Sequence, residues 1–250
     1  MKVLTIDLDY IMEPCIGLYN DLHYDQNPQT RWRSLFEKTA FTSNMFEINI
    51  SNLMYCYNVF LKSIKNCEYV AFGYTHDDIL HYIDDFKDID LINIDHHCDF
   101  LQGCFTEEYQ QNAPQKEIAE IIDSNRVNEG NWVAYLNCKN VLNSYTWIGN
   151  ENSAIKWSNP FTASMIKNFT NLEKENYNFT DYNFDHIFVC LSPQYIPHKF
   201  WHYFSMFITA YEEFTGKDAK VNNLASQGFQ ESRRYSNLTD EIMRQYSTGR

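Results

Sequence analysis

Three short apolar runs end in side chains that belong in water: KVLTIDLDY (2–10), EYVAFGYTH (68–76) and DLINIDHHCDF (90–100). Runs of this length, alternating with stretches of helical spacing, specify buried strands joined by crossover helices. Between the first two, INISNLMYCYNVFLKSI (48–64) places Ile50, Leu53, Met54, Tyr57, Phe60, Leu61 and Ile64 on one stripe, with Asn49 or Ser51 as N-cap. HDDILHYIDDF (76–86) predicts a second helix. Further strands are predicted at WVAYL (132–136), YTWIG (145–149) and HIFVCLS (186–192), with an aromatic helix over about 198–214. The expected fold is α/β, three layers around a mostly parallel sheet.

A chain of 250 residues, 44% of them hydrophobic, can build one sizeable core. The expected domain spans 1–215, with 216–250 as a polar C-terminal extension that is flexible or docks on a partner. Residues 15–45 and 160–184 read as long surface loops. A formal net charge of −13 argues against nucleic-acid phosphates and anionic membranes as partners and favours a cationic or neutral one. Seven scattered cysteines without a CxxC pair suit reduced thiols, the N-terminus reads as a strand rather than a signal peptide, and no apolar run approaches the roughly 20 residues of a membrane span. The expected location is the cytoplasm, and a homo-oligomer is compatible with all of this.

In an open parallel sheet, ligands bind beyond the carboxyl ends of the strands. There the three runs deliver Asp7 and Asp9, His76, and Asp95, His97 and Asp99, the i, i+2 spacing directing each set to one side. Four carboxylates so close would repel one another unless a cation neutralised them. Carboxylate and imidazole donors without thiolate favour Mn2+ ahead of Fe2+, Zn2+ or Mg2+, and six of them suit two ions with shared carboxylates. His96 and Cys98, at the intervening positions, should point away. His81, and the i, i+4 pair His198 and His202, read as surface or packing residues.

On these residues the chain resembles the arginase-type ureohydrolases, and in particular the peptide arginases: GYTH (73–76), DHHCD (95–99) and TIDLD (5–9) look like the family's three metal-binding elements, beside EGNWVAYL and CLSPQYIP. The resemblance implies an arginase-like fold with rearranged strand order, because the Asp-x-Asp element comes first here rather than late. It implies two Mn2+ ions held by Asp7, Asp9, His76, Asp95, His97 and Asp99. It also implies a substrate, an arginine-containing precursor peptide whose side chain is converted to ornithine with release of urea. Glu47, just before the 48–64 helix, is the best match to the glutamate that holds the guanidinium, and Asp99 would also move the proton. The family's loop histidine has no counterpart; EGNWVAYL offers Asn131 and Trp132 there, which with Tyr195 are candidate substrate contacts.

Two other classes fit part of the pattern. IDHH also resembles the signature of manganese phosphodiesterases, but TIDLDYIMEP lacks the extra histidine and Gly-Ser turn of that group and supplies no basic residue for phosphate. An arginase-like deacylase would use a single zinc ion. A metal-stabilised module that binds an arginine peptide without cleaving it is the non-enzymatic alternative.

Overall fold

Val3, Leu4 and Ile6 are buried on opposite faces of the first strand, β1 (Lys2–Asp7), as expected of a strand covered on both sides. In the computed structural model, which describes residues 1–13, 32–33, 45–83, 85–100, 127–151, 153, 168–174, 177 and 179–222, β1 lies at the centre of a seven-stranded sheet. The other strands are β4 (Tyr69–Gly73), β5 (Ile89–Ile94), β6 (Leu142–Gly149), β7 (Phe169–Glu173), β8 (His186–Cys190) and β9 (Lys220–Asn222), in the order β7-β6-β5-β1-β8-β4-β9 with every pair parallel. A separate two-stranded ladder pairs β2 (Met12–Glu13) with β3 (Glu47–Ile48).

Helices α1 (Ile50–Ser63) and α4 (His202–Thr215) cover one face, where Phe60, Phe72 and Phe207 meet; the Phe60 and Phe207 rings are 5.1 Å apart. Helices α2 (Leu80–Ile83) and α3 (Trp132–Cys138) cover the other with Leu91, Tyr145 and Phe188. Helices α1 and α4, on connections running toward β9, lie on the first face, and α2 and α3, on connections running toward β7, lie on the second, the arrangement that a single crossover handedness imposes. The chain is therefore a three-layer α/β protein. Among the described residues no helix is long and apolar enough to cross a membrane.

Several local expectations are corrected. WVAYL (132–136) is the body of helix α3 and not a strand; all five residues are buried, so the run carries no periodicity to separate helix from strand. The first strand ends at Asp7, and Leu8–Ile11 form a 3-10 turn. In α1, Ile50 and Met54 are exposed and the buried stripe is Asn52, Leu53, Cys56, Val59, Phe60 and Ser63. Asn49 is the N-cap, its side chain accepting from the Asn52 N–H. The 76–86 helix is a 3-10 turn (His76–Ile79) followed by α2. Strand β7 lies inside the 160–184 stretch read as loop, and β9 adds part of the 216–250 segment to the sheet. Nearly all of the 15–45 loop lies outside the described residues.

Gly73 closes β4 where no side chain fits. A Cβ there would stand 2.5 Å from the Phe188 ring and 2.8 Å from the Asp78 carboxylate. That carboxylate accepts from the Tyr74 and Thr75 N–H groups at 3.0 and 3.2 Å, and from Asn222 of β9 at 3.3 Å, shaping the turn that presents His76. Gly73→Ala is expected to cost about 1–3 kcal/mol by overpacking and to weaken whatever His76 binds. Thermal unfolding checks the first effect, and an unchanged midpoint would contradict it.

Candidate metal centre

The register sets Ile6 opposite Ile94 and Asp7 opposite Cys190, which is also opposite Gly73. The ends of β5, β1, β8 and β4 thus converge at one level, and the six expected ligands gather there. Asp7 arrives on the strand. Asp9 arrives through the 3-10 turn, its N–H bonded to Asp7 Oδ1 at 3.0 Å, so a tight turn and not strand alternation puts the two carboxylates side by side. Asp95 follows β5 directly, while Asp99 lies in the loop beyond with φ of 49°, in the left-handed region that Asp tolerates better than most residues.

His76 Nδ1 is fully buried and stands 2.8 Å from Asp99 Oδ2, 3.0 Å from Asp95 Oδ2 and 3.4 Å from Asp7 Oδ2. His97 Nδ1 stands 2.8 Å from Asp9 Oδ2 and 4.0 Å from Asp95 Oδ1. Asp95 therefore turns one oxygen to each histidine. Asp7, His76 and Asp95 form one group of potential ligands and Asp9, Asp95 and His97 a second, each with donor atoms within 4.8 Å of one another.

These donors fit divalent cations. Ligands about 2.1 Å from an ion stand roughly 3.0–3.4 Å apart, close to the spacings around His76. Both ring nitrogens of His76 are buried without a well-aligned hydrogen bond, although three carboxylates face Nδ1. Hydrogen bonding alone leaves this histidine unsatisfied, and buried polar groups without partners are costly. The first group is buried; His97 of the second is 32% exposed in its side chain, so the second position opens toward solvent.

Without a metal, protons do the neutralising. Burial raises Asp7 well above the carboxylate range, reinforced by repulsion from Asp9 and Asp95, and burial likewise raises Asp95, with Asp99 adding to it. Burial pulls His76 and His97 down, but the surrounding carboxylates outweigh it: His76 lies well above its ordinary value and His97 is raised to about 10. His96 goes the other way, lowered by burial.

Two pH effects follow. Metal ligation needs neutral imidazole and ionised carboxylate, so binding is expected to release protons and tighten as pH rises toward 10. In the metal-free chain the sign reverses. His97 contributes stability that is full below its unfolded value of about 6.5 and is lost as pH rises through its folded value of about 10. The raised Asp7 and Asp95 hold protons that the unfolded chain has released above about pH 4, so they too favour folding less as pH rises. Calorimetry in buffers of different ionisation heat counts the released protons. Melting of the chelated protein should show a midpoint that falls from pH 6.5 to 10, and a rising one would contradict the proton-filled cluster.

A second layer of hydrogen bonds orients these candidate ligands. Asp95 Oδ2 accepts from Asn93 Nδ2 at 3.2 Å, and Asn93 Oδ1 in turn accepts from Thr5 Oγ1 at 2.6 Å. Asp95 Oδ1 accepts from the His97 N–H at 2.8 Å. Ser192 Oγ donates to Asp7 Oδ2 at 2.5 Å, and Trp132 Nε1 to Asp99 Oδ2 at 2.6 Å. His96 turns away, its Nδ1 at 3.2 Å from Asn150 Oδ1.

Of the remaining expected site residues, Trp132 touches the cluster from inside the core, whereas no ion pair among the described residues ties Glu47 or Asn131 to it. Glu47 belongs to β3, exposed, opposite Glu13 of β2. No hydrogen bond or ion pair among the described residues ties Glu47 to the candidate ligands. Asn131 is buried at the head of α3, where its Oδ1 accepts from the Asn128 N–H at 2.9 Å. Trp132 is fully buried, so its indole is no surface for substrate; it packs 4.8 Å from the His76 ring. Tyr195 is half-buried with its ring 4.9 Å from that of His97. His198 and His202 lie near the surface at the head of α4. Cys56, Cys67, Cys98 and Cys190 are free thiols.

Ser192, Asn93 and Asn150 carry no signal in the sequence that marks them as supports of a site. Ser192 follows β8, which no acidic residue ends, and only the placement of β8 beside β1 brings it to Asp7. Comparison with protein-family models, with curated proteins and with solved structures finds no match to this chain.

Proposed function

We propose that this chain is a binuclear manganese hydrolase that converts arginine side chains of a peptide to ornithine and urea. The observation that carries the reading is Asp95, buried between the two groups with one oxygen toward His76 and the other toward His97. A carboxylate so placed suits a ligand shared by two ions. Asp7, His76, Asp95 and Asp99 would hold the inner ion, and Asp9, Asp95 and His97 the outer. Two such ions would supply Lewis acidity, which lowers the pKa of a bound water toward about 7.

The chain's own residues would do the rest. A guanidinium keeps its charge because its pKa exceeds about 12, so an acidic surface suits it. Glu47 and Glu13 face each other on the β2–β3 ladder, which follows directly from the end of β1 and so lies on the cluster's side of the sheet. Like charges directly opposite repel, and a guanidinium between them would relieve that repulsion. Water adds to the guanidinium carbon, the bond to the chain nitrogen breaks, and urea leaves. Asp99 would take the proton from water and pass it to the departing amine. The net charge of −13 supports a cationic substrate over a phosphorylated one.

Incubation with Mn2+ and an arginine-containing peptide, beside free arginine, tests the reading by mass spectrometry. The expected result is loss of CH2N2 from the peptide with urea in solution; loss from neither substrate overturns it. Glu47→Gln is expected to raise KM roughly 10- to 100-fold, the worth of a hydrogen bond to a charged group, with kcat less affected.

A further inference from the structure

We propose that Ser192 and Trp132 are positioning residues for the inner ion: each donates one neutral hydrogen bond that fixes a ligand carboxylate toward His76. The inference rests on the two-ion reading of the site. Its basis is the pairing of each donor with an oxygen that faces His76 Nδ1. Ser192 Oγ bonds Asp7 Oδ2, and Trp132 Nε1 bonds Asp99 Oδ2.

A free Asp carboxylate rotates about χ2 in a broad well, so its oxygens exchange places easily. Here Asp7 is clamped on both sides, Oδ1 by the Asp9 N–H and Oδ2 by Ser192. Asp99 is held by the indole, while its carbonyl accepts from the Val133 N–H at 3.2 Å, joining the Asp99 loop to the first turn of α3. Both donors are neutral. They orient a carboxylate without cancelling the charge an ion needs, which a lysine or arginine would do.

The backbone supports the assignment. Asp99 and Ser192 each sit at φ of 49°, a left-handed conformation that costs a residue other than glycine about 1–3 kcal/mol. One strained residue carries a ligand and the other carries a donor to a ligand. The Cys190 thiol lies 3.3 Å from Ser192 Oγ, so the hydroxyl is packed from behind and directed at Asp7. Trp132 also packs, tilted, 4.8 Å from the His76 ring, so one side chain contacts two candidate inner ligands.

The test uses the full chain with Ser192→Ala, which keeps the same Cβ on the strained backbone, and Trp132→Phe, which keeps a ring against His76 and removes the N–H together with part of the indole. Mn2+ binding is followed by calorimetry and by electron paramagnetic resonance, which separates single ions from coupled pairs. Native chain should bind two ions. Each variant should lose about 10- to 100-fold in affinity at one position and keep the other, giving single-ion spectra at concentrations where the native chain shows pairs. Unchanged affinities, or equal weakening at both positions, would overturn the positioning role. Native chain that binds no pair of ions would instead overturn the two-ion reading. Should Trp132→Phe fail to fold, Ser192→Ala decides the matter, since it removes only a hydroxyl.

Discussion

An Asp95→Asn variant is expected to retain less than one equivalent of Mn2+, against an expected two for the native chain. Asp95 Oδ2 stands 3.0 Å from His76 Nδ1 and Oδ1 4.0 Å from His97 Nδ1, so one residue serves both groups. The amide removes the charge from both. It also turns an NH2 either toward Asn93 Nδ2 or toward the His97 N–H, both of which now donate to the carboxylate. Asp9→Asn touches only the outer group and should leave the inner ion in place. Metal content after gel filtration, with calorimetry, measures both variants. Full retention of two ions by Asp95→Asn would contradict a shared ligand.

The second large effect is on stability. Four aspartates and two histidines meet at the strand ends, and in the metal-free chain protons must offset their repulsion. An ion that binds the folded chain alone stabilises it by about 2.7 kcal/mol at a hundredfold excess over its Kd, so two ions contribute about 5 kcal/mol. For a chain of this size each kcal/mol moves the midpoint by about 2–4 °C, giving a rise of roughly 10–20 °C with Mn2+. The rise should grow with pH, because protons and metal compete for the same atoms. A chelator should reverse it, and the same midpoint with and without Mn2+ would contradict the account.

The parallel strands were legible because buried runs such as VLTI, VAF and LINI leave few alternatives, and their polar ends mark the side on which a ligand binds. The fold's less regular parts were not. Trp132–Leu136 is uniformly apolar because α3 is wholly buried, and a run without a polar face cannot declare its period. The α1 stripe slipped because Asn52 and Ser63 are buried while Ile50 and Met54 are exposed, so polarity misreports the inner face. Strand β9 is three residues long and sits in a polar context, Lys220 to Asn222, where only pairing with β4 reveals it.

At the site, composition at the strand ends picked out the residues that cluster, but not the way each one gets there. Asp9 depends on a 3-10 turn and Asp99 on a positive φ, neither visible in a pattern of alternation. The supports were hidden for a different reason. Ser192 and Asp7 are 185 positions apart, and they meet because β8 inserts beside β1 after the chain has already built β4 to β7. Trp132 is a candidate substrate contact in the sequence because EGNWVAYL offers it where the resembled family has its loop histidine; in the structure its indole N–H meets a carboxylate inside the core.

The most direct test is anomalous diffraction at the manganese edge from crystals grown with Mn2+. The account predicts two peaks roughly 3.5–4 Å apart, one among Asp7, His76, Asp95 and Asp99 and the other among Asp9, Asp95 and His97, with Asp95 between them. A single peak, or none at the ends of β1 and β5, would contradict it.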